Sequence, residues 1–157
     1  MAFMANSIRK GTLISSNDNT VESLNTMNTT LIVEGNDTFR QTLKNLLNLR
    51  FPSMNLQEAR DGKEALEKII AFRPELIFVD IKLPGENGLE LTRKIQGFHS
   101  EGTVIVLTSY DFPEYRKAAY ENGARYFVSK GSTSSREIVE LVESVFSNKD
   151  TARDCRT

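Results

Sequence analysis

The sequence predicts a single α/β domain in three layers, a doubly wound parallel sheet covered by helices on both faces. Three observations lead to it. Four short runs, "LIV" (31–33), "LIFV" (76–79), "VIVL" (104–107) and "YFV" (126–128), are apolar without polar alternation, as strands are when both of their faces are buried. The stretches between them carry apolar residues at helical spacing. Strand and helix then alternate five times, a pattern that builds parallel sheets through right-handed crossovers.

In chain order, the first strand is "LIV". The helix after it, "TFRQTLKNLLNLRF", sets Phe39, Leu43, Leu46 and Leu47 on one apolar stripe, with Asn36 or Asp37 as its cap. A weaker second strand is expected around Met54 to Ala59. The helix "GKEALEKIIAF" buries Leu66, Ile69 and Ile70 and must stop before Pro74. The third strand, "LIFV", leads to the helix "GLELTRKIQGF", and the fourth, "VIVL", to "FPEYRKAAYENG". After the fifth strand, "SREIVELVESVF" turns Ile138, Leu141, Val142 and Val145 inward, with Ser134 or Ser135 as cap. There are no internal repeats.

Residues 1–29 are rich in Ser, Asn and Thr and read as a flexible arm, and residues 148–157 as a polar tail, leaving 30–147 as the folded domain. The 20 Lys and Arg against 21 Asp and Glu are scattered, so no direct nucleic-acid partner is expected. No apolar run reaches membrane-spanning length and the start lacks the apolar core of a secretory signal, so the expectation is a cytoplasmic protein with no membrane partner. Cys155, the one cysteine, argues against a disulfide framework. His99, the one histidine, stands in polar "GFHSEG" and reads as exposed, which leaves no phosphohistidine or histidine-rich metal site.

In doubly wound sheets the functional crevice lies at the carboxyl ends of the strands. Those ends hold Glu34 after the first strand, Asp80 after the third, Thr108 and Ser109 after the fourth and Lys130 after the fifth. An acid ending a central strand sits at the mouth of that crevice. Two carboxylates, a hydroxyl and an ammonium are thus brought to one rim.

The segments "LIVEGNDTFR", "LIFVDIKLPGENGLEL", "VIVLTS" and "ENGARYFVSKG" resemble the matching parts of the receiver domains of two-component response regulators, over residues 30–147. The resemblance implies a flavodoxin-like sheet of order 2-1-3-4-5 and a phosphoacceptor signalling domain, not an enzyme. Asp80 would take a phosphoryl group from a sensor histidine kinase or phosphotransfer protein. Mg²⁺ would be held by Glu34, Asp80 and the backbone carbonyl of Lys82. Lys130 would meet a phosphoryl oxygen as a point charge, and Thr108 would donate its hydroxyl to another. Phe127 matches the aromatic switch position. The fourth helix, fifth strand and fifth helix would then change the surface offered to a downstream protein or to a second copy in a homodimer.

The family's adjacent pair of acids after the first strand is here Glu34 and Gly35, so a direct metal ligand is missing and Mg²⁺ binding is expected to be weak. Glu34 is one methylene longer than Asp, and Asp37 is expected to be spent on capping its helix. Lys82 adds a cation beside the site. The alternative is a pseudo-receiver that binds partners irrespective of phosphate. An aspartate-nucleophile phosphatase fares worse, since Lys82 occupies the place of its second Asp and no Gly-rich nucleotide fingerprint follows the first strand. Taken singly, Asp80 reads as a loop cap, Thr108 as a strand-end hydroxyl, Lys130 as a solvated charge and Phe127 as a core aromatic.

Overall fold

In the computed structural model the described residues are 28–156, with side chains as far as residue 148. The first apolar run forms β1 (Thr29–Val33), whose residues alternate between two cores, Leu31 and Val33 in one and Ile32 in the other. With both faces buried, the strand has no need of polar alternation. Then follow α1 (Asp37–Arg50), β2 (Asn55–Ala59), α2 (Gly62–Phe72), β3 (Leu76–Val79), the two-residue strands β4 (Lys82–Leu83) and β5 (Glu86–Asn87), α3 (Gly88–Phe98), β6 (Thr103–Thr108), α4 (Pro113–Glu121), β7 (Tyr126–Ser129) and α5 (Ser135–Arg156).

The five longer strands form one parallel sheet in the order β2-β1-β3-β6-β7, which is 2-1-3-4-5 when only they are counted. Strand order reverses between β1 and β3, and the crevice rule points there. Leu43 and Leu47 of α1 and Val142 and Val145 of α5 pack on one face of the sheet, with Phe78 and Ile105. On the other face Ile69 of α2, Leu91 and Ile95 of α3 and Ala119 of α4 pack with Val79 and Val106. These are the three layers expected of the pattern.

Helix starts follow side-chain chemistry. Asn36, not Asp37, caps α1, its side chain accepting the Phe39 N–H at 2.8 Å. Asp37 instead receives a hydrogen bond from Arg40. Ser134 and Glu137 form a reciprocal capping box at α5.

Besides the cap of α1, the structure departs from or adds to the sequence expectations at five further places. β4 and β5 pair as an antiparallel hairpin in what reads as a plain loop, turned by Pro84 and Gly85, the latter at φ +72°. Ile70 is 67% exposed, because the buried ridge of α2 runs through Ala65 and Ile69, one turn apart, with Leu66 at its flank. His99 is 2% exposed, not solvated: its ring nitrogens lie 2.6 Å from the Pro74 carbonyl and 2.7 Å from a Glu101 carboxyl oxygen, so the turn into β6 folds it against the start of β3. α5 continues as helix through 148–156, the stretch expected to be a tail. The arm assigned to residues 1–29 lies outside the described residues up to residue 27, and Thr29 already belongs to β1. Among the described residues no helix is long and apolar enough to cross a membrane.

Candidate functional site

Register places the acids. Val33 and Val79 are partners in β1 and β3, so Glu34 and Asp80 leave the sheet side by side, and the Asp80 N–H donates to the Val33 carbonyl at 3.1 Å. On the far side Thr108 pairs with Ser129, and the next residue, Lys130, donates its N–H to the Thr108 carbonyl at 2.9 Å. The loop after Asp80 returns tightly upon it: a Cβ on Gly88 would lie 1.9 Å from the Asp80 carbonyl oxygen, so only glycine starts α3 there.

The side chains close the rim. Lys130 Nζ lies 2.5 Å from Glu34 Oε1 and 3.2 Å from Asp80 Oδ2. Glu34 and Asp80 are 3% and 8% exposed, a burial that charged groups tolerate only when paired. Two carboxylates against one ammonium leave an excess of negative charge. Glu34 Oε2 accepts the Asn36 N–H at 3.0 Å, and its backbone carbonyl accepts a hydrogen bond from the Arg40 guanidinium at 2.7 Å. Burial pushes the Glu34 carboxyl above the ordinary 4.5, and the charge of Asp80 adds to this, against hydrogen bonds from Lys130 and Asn36. Asp80 Oδ1 is buried with no hydrogen-bond partner among the described residues, an arrangement that calls for an explanation.

The remaining predicted residues surround this triad without joining it. Thr108 is fully buried, and its hydroxyl accepts the Tyr110 N–H at 3.2 Å. Lys82 is exposed and reaches across to the Tyr110 hydroxyl at 3.3 Å. Phe127 lies in the core with the Arg116 guanidinium 4.7 Å over its ring. Asp37 is held by Arg40, whose hydrogen bond, with its charge, keeps that carboxyl below its usual range. At Gly35 an added Cβ would lie 2.9 Å from Cδ of Pro84.

Sequence reasoning missed Asn36 as a donor to Glu34, and Arg40, whose buried guanidinium ties the end of β1 to Glu58 of β2. Arg40 is a polar residue beside the apolar stripe of α1, and its spacing from Asp37 and the lone acid inside β2 were the available signals. A cavity of about 530 Å³ lies at the opposite, amino-terminal ends of β3, β6 and β7, between Pro74, His99, Thr103 and Arg125, and none of Glu34, Asp80, Thr108 and Lys130 lines it.

Among the described residues no cluster of three or more His, Cys, Asp or Glu is placed to hold a metal. Mg²⁺ does not require one: it commonly takes one or two carboxylates and keeps several waters. The buried, unpartnered Asp80 Oδ1 and the surplus negative charge fit such a water-rich ion.

Comparison with known proteins adds findings of three kinds. Residues 30–143 match the family model of the response regulator receiver domain. Among curated relatives, the oxygen regulatory protein NreC of Staphylococcus aureus is 27% identical over 112 residues, covering 71% of this chain and 52% of NreC. An uncharacterised transcriptional regulatory protein of Bacillus subtilis, YesN, is 34% identical over 86 residues, covering 55% of this chain and 23% of YesN. The chain thus spans about half or less of the curated relatives it matches. Among solved structures, a DNA-binding response regulator of the LuxR family from Staphylococcus aureus superposes with a TM-score of 0.70 at 28% identity, over 76% of this chain and 98% of that one. A CheY-like receiver domain protein from Methanospirillum hungatei shares the fold at a TM-score of 0.74 and 23% identity, over 80% and 98% of the two chains.

Proposed function

The chain belongs to the response regulator receiver domain family of two-component systems, and from that premise we propose that Asp80 is its phosphoacceptor. The observation that carries the reading is the Lys130 ammonium standing between Glu34 and Asp80 at the carboxyl ends of β1, β3 and β7. A carboxylate that attacks phosphorus needs a cation to offset the charge of the incoming phosphoryl group, and Lys130 is held there in advance.

An Asp80 oxygen attacks the phosphorus of a phosphohistidine on a kinase or phosphotransfer partner. The phosphorus–nitrogen bond breaks, the imidazole nitrogen leaves with the electron pair and takes up a proton, and Asp80 becomes an acyl phosphate. Lys130 turns toward a phosphoryl oxygen as the charge arrives. Asp80, the Lys82 backbone carbonyl and Glu34 would hold Mg²⁺, which when bound neutralises phosphoryl charge. Thr108 leaves its contact with the Tyr110 N–H to donate its hydroxyl to the phosphoryl group, which draws the β6–α4 loop inward. That movement bears on Phe127 beneath Arg116, and so on α4, β7 and α5, the surface then offered to a downstream protein or a second copy. The setting proposed is cytoplasmic.

One observation favours a second reading. Gly35 removes the acid that would grip the metal, with Pro84 packed where a side chain would start, as suits a module that binds partners irrespective of phosphate. Titration with beryllofluoride and Mg²⁺, followed by amide spectra, separates the two. Shifts at Thr108 and Phe127 that are lost in Asp80→Asn support the phosphoacceptor, and an unchanged spectrum overturns it.

A further inference from the structure

Lys130 offers three N–H donors and has two carboxylate partners; its remaining side faces an aromatic ring. Nζ stands 4.3 Å from the centroid of Phe39, within cation–π distance. The lysine side chain is only 11% exposed, and such attraction grows as the cation loses water. Phe39 is delivered by the first turn of α1. The Asn36 side chain accepts the N–H of Phe39, while the Asn36 N–H donates to Glu34, so a single cap fixes two of the three groups around the ammonium. The ring is only partly buried against the α1 core.

We propose that Phe39 is a positioning residue for phosphoryl transfer: its ring holds the Lys130 ammonium over Asp80, supplying a negative π-face in a site where Gly35 brings no carboxylate. A π-face restrains the ammonium without a further formal negative charge to repel the phosphoryl oxygens. It also leaves one N–H without a strong acceptor, ready to turn to the incoming group. The inference rests on the reading of Asp80 as phosphoacceptor and of Lys130 as its counter-cation.

The test uses the full chain, with Phe39→Leu and Phe39→Met to keep an apolar side chain and Phe39→Tyr to keep the ring. In spectra of the unphosphorylated protein, the Lys130 Hε protons should carry an upfield ring-current shift that is lost in Phe39→Leu and Phe39→Met and retained in Phe39→Tyr. With acetyl phosphate as donor, the Leu and Met variants should gain the phosphoryl group about three- to tenfold more slowly, and Phe39→Tyr should restore the rate. Lys130 resonances that are the same in wild type and Phe39→Leu overturn the inference. Equal phosphorylation rates in all four proteins also overturn it, with the phosphoacceptor reading intact. If the wild type accepts no phosphoryl group, that reading fails and the role in transfer falls with it, whatever the ring-current result.

Discussion

Glu34 Oε1 and Lys130 Nζ meet at 2.5 Å although their strands, β1 and β7, stand three places apart in the sheet. Neighbouring strands are about 4.8 Å apart, so the two backbones are separated by roughly 14 Å at the rim. Two long side chains must reach inward over β3 and β6 to close that gap, and Asp80 at the end of β3 lies beneath their junction. The extra methylene of Glu34 over Asp serves this reach.

The Glu34 carboxyl sets a pH dependence. Burial holds it above 4.5 in the folded chain, so the folded state keeps this proton to higher pH than the unfolded state does. Stability from this group therefore falls as pH rises from 4.5 through the raised midpoint, and then levels off. Urea midpoints measured across that window should fall less in Glu34→Gln than in the wild type. A carbon-13 titration should place the Glu34 midpoint above 4.5, and Lys130→Met should raise it further by removing a hydrogen bond to the charged form. A midpoint at or below 4.5 contradicts this.

Arg40 anchors the end of β1. Arg40→Met strips the Glu34 carbonyl and Glu58 of a buried partner, and a loss of about 2–4 kcal/mol in urea denaturation is expected. Burial works to raise the Glu58 carboxyl, but hydrogen bonds from Lys44 and Arg40 outweigh it and hold the group below 4.5. The contribution of Glu58 is thus present above 4.5 and lost as pH falls through its lowered midpoint. The deficit of Arg40→Met should shrink on acidification through that window; a deficit independent of pH there would show that Glu58 takes no part.

Gly35→Asp restores the second acid, and Gly35→Ala is its steric control. Both bring a Cβ 2.9 Å from Pro84, which is exposed in the two-residue turn and gives way at a cost of about 1 kcal/mol. By calorimetric titration, Mg²⁺ should bind Gly35→Asp about tenfold more tightly than the wild type and Gly35→Ala with unchanged affinity. Equal affinities in all three proteins would show that the charge of Glu34 already compensates.

Strand ends were legible because an apolar run that closes on a charged residue states both the strand and its exit. "LIFV" followed by Asp80 is the plainest case, and the register of Val33 with Val79 sets Glu34 beside it. The side of a helix that faces a site was harder to read. Phe39 shares the spacing of Leu43 and Leu47, so periodicity assigns it to the core and says nothing of Lys130 at its ring. His99 was misjudged and Arg40 passed over for a common reason: polarity suggests solvent, whereas hydrogen bonds to the Pro74 and Glu34 carbonyls satisfy these two side chains inside. The hairpin of β4 and β5 is too short for periodicity, and only the Pro84–Gly85 turn signals it.

Intact mass after incubation with acetyl phosphate and Mg²⁺ reports whether Asp80 takes up a phosphoryl group. The wild type should gain the mass of a single phosphoryl group and Asp80→Asn should gain none. No gain in the wild type even at tens of millimolar Mg²⁺, or an equal gain in Asp80→Asn, would contradict Asp80 as the phosphoacceptor.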